Sequence, residues 1–308
     1  MAGNRHSRFP GLFRLAALLV SVCLLAACGP IEAPEPVSTI PPTTEATTAP
    51  PETTVPTEIA SPYTIDETCT QPPAETLPPL EDPYDPMSLV WRDLQAYAWQ
   101  QKLNPNLYTQ LLAELYFRNP DAREFCLEYP RLWNKESTAD MSAYENAEGV
   151  PLFLQWDPQW GYFDYGGNLM GLSGCGPTTL AMAAYYFTGD PDMNPLALAQ
   201  FAMDNGYRYL GNGTAWSFMY DGARRLGLRS QALSLDEQAM IRALDDGALI
   251  ICIMGPGQFT TGGHFILLTG YRDGAFTVND CNSITRSRRT WTYEELCGEI
   301  RNLWAIRG

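Results

Sequence analysis

The pattern of apolar and polar positions divides the chain into four stretches of different character. Residues 15–27 are almost entirely apolar, and residues 29–86 hold few apolar side chains. Residues 87–146 repeat apolar side chains at helical spacing, and residues 147–308 mix helical and strand patterns. We interpret these stretches as part of a leader (1–28), a tether (29–86), a small helical segment (87–146) and the main domain (147–308).

The helical segment shows apolar periodicity twice, from Leu89 to Leu103 and from Leu107 to Phe117. Asn119-Pro120 then has the form of an N-cap followed by proline in the first helical turn, which predicts a third helix through Tyr129. No polar constellation here suggests chemistry. We expect a helical spacer that packs on the main domain.

The main domain begins with helical signals. Pro177 to Phe187 and Pro195 to Asn205 are helical runs, each followed by glycine. Thr214 is the expected cap of a helix that ends near Gly227. Ser234-x-x-Glu237 matches a capping box before the next helix.

Strand signals dominate the rest of the domain. Residues 248–254 form a continuous apolar run, and residues 264–271 and 275–280 flank the hairpin signal Arg272-Asp273-Gly274. Thr292-x-x-Glu295 predicts a short helix, and residues 302–307 a last strand. Helices followed by antiparallel strands indicate an α+β fold.

The N-terminus has the features of a secretion signal. Arg5, Arg8 and Arg14 accompany the short apolar run, and residues 1–28 contain no acid. The run ends in Leu25-Ala26-Ala27-Cys28-Gly29, which resembles a bacterial lipobox. That resemblance implies that Cys28 is acylated and becomes the first mature residue. We therefore expect a lipoprotein on the outer face of the cytoplasmic membrane.

The tether is rich in proline and threonine. Residues 29–86 contain 15 of the 25 prolines, 12 threonines, and no lysine or arginine. Such a composition favours extended, solvated backbone, and a chain of this length reaches at most on the order of 180 Å, far enough to span a cell wall. The formal net charge of the whole chain is −15, which argues against nucleic acid as a partner.

Cys175 is the candidate nucleophile. It lies in Gly174-Cys175-Gly176-Pro177, where the glycines allow a sharp turn and an accessible sulfur, and Pro177 suits a first helical turn. A sulfur at a helix N-terminus is favoured as the thiolate, which is the nucleophilic form.

His264 is the only candidate for a histidine base. The chain has two histidines, and His6 belongs to the leader. His264 opens an apolar strand directly after Gly262-Gly263. The predicted hairpin returns Asn279-Asp280 to the same level. A three-residue loop would place Asp280 on the face of His264, whereas a two- or four-residue loop would favour Asn279, so both remain open as the orienting group.

Several motifs in order resemble one family. They are Gln155-Trp156-Asp157-Pro158-Gln159-Trp160-Gly161, Gly174-Cys175-Gly176-Pro177-Thr178-Thr179, Gly263-His264-Phe265 and Val278-Asn279-Asp280. Together they resemble the bacteriocin-processing, double-glycine-type cysteine peptidases, and more closely the stand-alone, peptidase-like relatives of papain-like fold. The resemblance covers about residue 150 to the C-terminus. One departure is Cys281, where relatives typically have proline.

The resemblance implies a papain-like fold and a reaction. A helical half would carry Cys175 and an antiparallel sheet would carry His264. Gln155 would donate to the oxyanion, and Asp280 would be the third catalytic residue. We expect a cysteine peptidase that acts on a peptide or protein substrate. A peptidoglycan amidase or endopeptidase, and a non-catalytic binding lipoprotein on the same fold, are the alternatives.

The sequence also bears on disulfide bonds and on metal binding. Cys281 and Cys297 are a candidate disulfide among the other mature cysteines, which are Cys69, Cys126 and Cys252. No cysteine spacing resembles a zinc site, and a single mature histidine excludes a His-rich one. We expect no metal and no cofactor.

Overall fold

The computed structural model describes residues 85–209 and 213–308. The leader with Cys28, Cys69 and nearly all of the tether lie outside these residues. Among the helices that are described, none is both long and apolar enough to cross a membrane. The described residues fall in one compact unit.

The helical segment contains three helices, as the periodicity predicts. Asp85 caps the first with its carboxylate, Thr109 caps the second, and the Asn119 side chain caps a 3₁₀ turn at Pro120–Ala122 that leads into the third. The helices are α1 (Pro86–Gln100), α2 (Gln110–Arg118) and α3 (Arg123–Leu132). Val90, Leu94 and Ala98 are the buried residues of α1.

The helical half of the main domain is built around one buried helix. Every residue from Gly176 to Tyr185 in this helix is buried, and Gly189 ends it with a positive φ of 65°. The helices of this half are α4 (Met170–Ser173), α5 (Cys175–Thr188), α6 (Pro195–Asp204) and α7 (Asp221–Arg225). Helix α8 (Glu237–Asp245) belongs to a separate apolar core through Met240, Ala243 and Leu244.

Two of the predicted caps are wrong. Thr214 lies in the short strand β2 (Gly213–Thr214), which pairs with β1 (Arg208–Tyr209), and its hydroxyl bonds to Tyr165 instead of capping a helix. Asp236 caps α8 by accepting from the Ala239 N–H, because it directly precedes the helix and Ser234 does not.

A six-stranded antiparallel sheet forms the other half. The predicted hairpin, the central apolar strand and the last strand are all present, and the Thr292–Glu295 capping box is confirmed. The strand order is β3-β8-β4-β5-β6-β7. The strands are β3 (Arg229–Ala232), β4 (Leu249–Met254), β5 (His264–Arg272), β6 (Ala275–Asn279), β7 (Thr290–Trp291) and β8 (Ile300–Arg307). Helices α9 (Ile284–Ser287) and α10 (Tyr293–Cys297) lie between β6 and β8.

The central strand β4 is buried on both faces. Leu249, Ile251 and Ile253 join the core that contains α5 and α6. The alternate residues Ile250, Cys252 and Met254 join the core that contains α8. The sheet therefore separates two apolar cores, and α5, which begins at Cys175, packs on one of its faces.

The helical segment packs on the main domain through Phe125. A Cβ added to Gly161 or Gly171 would lie 2.8 or 2.4 Å from the Phe125 ring, so both positions require glycine for this contact. The Phe125 ring also stacks on Tyr162, with centroids 4.5 Å apart. Helix α3 therefore lies against the main domain through Phe125.

The predicted disulfide is wrong. Cys281 and Cys297 are both free thiols. The Cys281 sulfur is buried against Gln155 and Thr179, whereas the Cys297 thiol donates to the Glu294 carbonyl oxygen within α10. Cys126 and Cys252 are also free and buried.

Candidate active site

Cys175 is the first residue of α5, with Gly174 as N-cap. Its side chain is half-buried, while the rest of the first turn is buried. The flanking glycines are needed for close packing and not for an unusual φ. A Cβ on Gly176 would lie 2.6 Å from the Thr214 side chain, and one on Gly174 would lie 2.4 Å from Met170 Cγ. The sulfur therefore sits among free N–H groups at a helix N-terminus that packing holds in place.

His264 and Asp280 form a buried pair. His264 opens β5 and is 5% exposed, and Asp280 follows β6 and is fully buried. His264 Nε2 lies 2.7 Å from Asp280 Oδ1. The other ring nitrogen, Nδ1, remains for the hydrogen bond that links His264 to Cys175. The three side chains thus form one line of contacts from helix to sheet.

A β-bulge decides which residue orients the histidine. The hairpin turn is Asp273-Gly274, both with positive φ, so its loop has two residues and by itself favours Asn279. The pairing shifts by one between Leu268 and Gly270, which leaves Thr269 as the extra residue. Beyond the bulge Leu267 faces Asn279, so Asp280 takes the face of His264.

Asn279 serves a different purpose. Its side-chain amide donates to the carbonyl oxygens of Val150 and Pro151, at 3.2 and 3.0 Å. It therefore anchors the chain that leads to Gln155. Of the two residues that the sequence left open, the structure brings Asp280 into contact with His264.

Sequence reasoning missed Arg286. Its guanidinium pairs with Asp280 Oδ2, on the carboxylate oxygen that His264 does not use. The Asn282 N–H also donates to Asp280 Oδ1, at 2.8 Å. These contacts satisfy a buried charge that would otherwise be costly. No motif marks Arg286, because its role depends on the turn through α9 that returns it to Asp280.

The charges of the site reinforce one another. Burial opposes the ionised form of each group, but charge and hydrogen bonds outweigh it. The imidazole of His264 lowers the pKa of the Cys175 thiol below its ordinary value. Asp280 and Cys175 raise the pKa of His264 to about 10. His264 and Arg286 hold the pKa of Asp280 below its usual range. The site therefore favours a thiolate–imidazolium pair over a neutral thiol.

The thiol of Cys281 contacts both Gln155 and Cys175. The Cys281 sulfur is 3.4 Å from Gln155 Oε1 and 3.7 Å from the Cys175 carbonyl oxygen. Gln155 Nε2 donates one hydrogen to the Gly171 carbonyl, at 2.8 Å. An amide nitrogen carries two hydrogens, and the described residues provide an acceptor for one of those on the buried Gln155.

Cys281 occupies the centre of the site as a neutral thiol. Burial and the nearby Cys175 raise its pKa well above the ordinary value. Its S–H contact fixes the amide of Gln155 so that the oxygen faces inward and Nε2 faces Gly171. Cys281, which stands where relatives typically have proline, thus helps to orient the side chain of Gln155, the candidate oxyanion donor.

One group in the described residues has the composition of a metal site. Ligand atoms of His264, Asp280 and Cys281 lie within 4.8 Å of one another, and all three residues are buried. However, His264 and Arg286 already bind both carboxylate oxygens of Asp280. The thiol is held neutral by burial, whereas a metal ligand must be a thiolate. The donor set therefore suits proton transfer better than metal binding.

Comparisons with known proteins identify similar chains. The sequence pattern of the Peptidase_C39 like family matches residues 147–308. The peptidase domain of Streptococcus ComA, a bi-functional ABC transporter involved in a quorum sensing pathway, is 19% identical, with a TM-score of 0.34 over 43% of this chain and 88% of that domain. A C39-like peptidase from Bacillus anthracis is 13% identical, with a TM-score of 0.34 over 54% of this chain and 96% of the other. No curated protein matches the chain. The family match and the α+β architecture confirm the papain-like fold that the motifs imply.

Proposed function

Because the chain belongs to the Peptidase_C39 like family, we propose that it is a cysteine peptidase that cleaves peptide bonds with Cys175 as nucleophile. The observation that supports this most is the line of contacts from Cys175 through His264 to Asp280, with the pKa of the thiol lowered and that of the imidazole raised. A nucleophile, a base and an orienting acid are the parts that acyl transfer requires.

Acylation uses the ion pair directly. The Cys175 thiolate attacks the carbonyl carbon of the substrate, and the C–O π electrons move to oxygen. The second N–H of Gln155 and the Cys175 backbone N–H stabilise the oxyanion. His264 Nδ1–H then protonates the leaving nitrogen, the C–N bond breaks, and a thioester remains on Cys175.

Deacylation reverses the roles of the same groups. Neutral His264 takes a proton from water at Nδ1, and the hydroxyl oxygen attacks the thioester carbonyl. The C–S bond breaks, Cys175 leaves as thiolate, and the product is a carboxylic acid. Asp280 stays ionised throughout and keeps Nε2 protonated and oriented.

The substrates in this proposal lie outside the cytoplasm. Support comes from the leader and from Cys28 in the lipobox-like Leu25-Ala26-Ala27-Cys28, which would carry acyl chains into the membrane. The tether would then hold the domain away from the lipid surface, within reach of peptides or of the cell wall. Nucleic acid is not among the proposed partners, since the net charge is −15.

The test is a cleavage screen on a peptide library with the purified full chain. We expect cleavage by the wild type and none by Cys175→Ala. A parallel assay on purified peptidoglycan separates the alternatives: release of wall fragments with no peptide cleavage would indicate an amidase or endopeptidase. Cys175-independent peptide binding without any cleavage would indicate a binding lipoprotein and overturn the proposal.

A further inference from the structure

A cleft of about 360 Å³ opens beside the candidate active site, and helix α2 forms one of its walls. Leu111, Leu115 and Arg118 of α2 line it, opposite the loop at residues 257–261 and the turn that carries Asn282 and Arg286. Helix α2 lies outside the residues that match the peptidase family, 147–308. The wall is therefore an addition to the peptidase domain and not part of it.

The cleft borders the reacting groups without containing them. Gln155 and Gly171, which are joined by a hydrogen bond, both line it, and so does Arg286, which pairs with Asp280. Neither Cys175 nor His264 is among the lining residues. A group bound in the cleft would thus lie next to the bond under attack, on the side of the oxyanion donor.

A second groove continues the cleft along α2. It has a volume of about 410 Å³ and shares Leu111, Asn168 and Leu172 with the cleft. Leu111 and Leu172 are the apolar side chains common to both, and Leu111 is the more exposed of the two, at 49%, whereas Leu172 is half-buried. The two together form a continuous path that starts at Gln155 and passes over Leu111.

The α2 wall is fixed to the loops that surround the site. Arg118 Nη1 donates to Thr261 Oγ1, at 3.2 Å, close to His264 in sequence. The Asn119 amide donates to the Asn282 carbonyl oxygen, next to Asp280 and Cys281. The Thr285 N–H donates to Asp121 Oδ2, at 3.0 Å. These bonds preorganise the wall relative to the reacting groups, which reduces the entropy lost when a substrate binds.

We propose that the path along α2 binds the part of an extended peptide substrate that adjoins the scissile bond, and that Leu111 selects a bulky apolar side chain there. The inference rests on the proposed peptidase function. A peptide residue spans about 3.3–3.6 Å, so a chain whose carbonyl lies at Gln155 must continue along a neighbouring groove. The groove available at Gln155 is the one with the exposed leucine, and covering that leucine with an apolar side chain is favourable.

Leu111→Ser tests the proposal, with Leu89→Ser as matched control. Leu89 lies on α1, is 43% exposed and lines neither groove. In the library screen we expect Leu111→Ser to lower kcat/KM about tenfold for peptides with a bulky apolar residue beside the scissile bond, and to flatten the preference at that position. Leu89→Ser should retain the wild-type profile. The rate at which iodoacetamide labels Cys175 should be the same in all three proteins, because this small reagent needs no groove.

Leu111→Trp is a second test, since it narrows the path along α2 without making it polar. We expect a shift of preference toward smaller apolar residues. An unchanged cleavage profile in both Leu111 variants of an active enzyme would overturn the inference and leave the proposed function standing. Absence of cleavage by the wild type would instead overturn the proposed function, and this inference with it.

Discussion

The lowered pKa of Cys175 depends on residues far from it in sequence. Position at the start of α5 supplies N–H groups, but burial alone would raise the pKa of the thiol. His264 reverses that effect by charge and by a hydrogen bond, and His264 in turn is held protonated by Asp280. Each residue of the site is therefore needed for the ionisation state of the next.

Thiol labelling as a function of pH measures this dependence. The thiolate is the form that iodoacetamide attacks, so the wild type should label well at neutral pH and lose reactivity only as pH falls below the lowered pKa of Cys175. In His264→Ala, burial remains and the charge is gone, so the pKa should rise above the ordinary value of 9.0. Each unit by which the thiol pKa rises lowers the thiolate fraction at pH 7 about tenfold. We therefore expect iodoacetamide to label His264→Ala at least about tenfold more slowly than the wild type.

The control for labelling is Cys175→Ala, which reports the reaction of the other thiols. Equal labelling of wild type and His264→Ala at pH 7 would contradict the ion pair.

On the alkaline side, peptidase activity should decline as pH rises through about 10, where His264 loses the proton that it donates to the leaving group.

Gln155 can be tested against Gln159, four residues away. Gln155→Ala removes the side-chain N–H offered to the oxyanion, and loss of one such donor costs about 10²–10³ in kcat. Gln159 accepts from the Asp140 N–H instead, and Gln159→Ala should retain kcat within about twofold. Labelling of Cys175 should be unchanged in both variants. A Gln155→Ala enzyme with normal kcat would exclude this role.

At the scale of elements, the register of the β5–β6 hairpin is decisive. The Asp-Gly turn alone would bring Asn279 to His264, and the bulge at Thr269 brings Asp280 there instead. Local turn chemistry predicts the hairpin but not the bulge, because the bulge lies in the strand pairing and not in the turn. This is why the sequence left the third residue open.

Asp280 and Asn279 are adjacent in sequence but make different contacts, so we expect different effects from substituting each one. Asp280→Asn removes the charge that raises the pKa of His264, so the alkaline limb of the pH–activity profile should move below pH 10 and kcat should fall at least about tenfold. Asn279→Ala should lower stability by about 1–3 kcal/mol through its two lost hydrogen bonds, and leave the pH profile in place. A shifted pH profile in Asn279→Ala together with an unchanged profile in Asp280→Asn would mean that Asn279, and not Asp280, contacts His264.

Other elements show the same division between local and distant causes. Capping residues and apolar periodicity predict α1 to α3, α5, α6 and α10, since these signals act within a few residues. The short strands β3 and β7 carry no such signal and form because β8 and β6 offer them an edge. For this reason the predicted role of Thr214 as a cap is wrong and Arg286 is missed: a packing contact with Gly176 defines the first, and an ion pair with Asp280 the second.

Docking of the helical segment is measurable as stability. Phe125 is 2% exposed and packs on Gly161 and Gly171, and Phe125→Ala should lower the free energy of unfolding by about 3–5 kcal/mol. Phe117 of α2 is 47% exposed, and Phe117→Ala should change it by less than about 0.5 kcal/mol. Urea unfolding measures both. Equal values for the two variants would show that α3 contributes nothing to the stability of the domain.

At the scale of the whole molecule, the proposed location of the substrates depends on where the domain is held. The chain is acidic overall, with a formal net charge of −15, so its surface gives no attraction to an anionic membrane. We therefore propose that membrane association depends on the leader and on acylation of Cys28. One acyl chain binds a membrane only weakly, and stable anchoring requires at least two anchoring signals.

Fractionation of cells that express the full chain tests the anchor, with Cys28→Ser beside Cys23→Ser. Cys23 lies in the same apolar run, five residues earlier, and is not preceded by Leu-Ala-Ala. We expect the wild type and Cys23→Ser in the membrane fraction, released only by detergent. Cys28→Ser loses the acylated sulfur, and the form that reaches the outside should be soluble.

Catalysis should be independent of the anchor. Cys28 lies outside the matched peptidase residues, so soluble Cys28→Ser should cleave a soluble peptide with the kcat/KM of the detergent-extracted wild type. Cys28→Ser that stays with membranes after high salt would show that residues 15–27 remain as an uncleaved apolar anchor. In that case the domain would still be tethered, but by its leader and not by lipid.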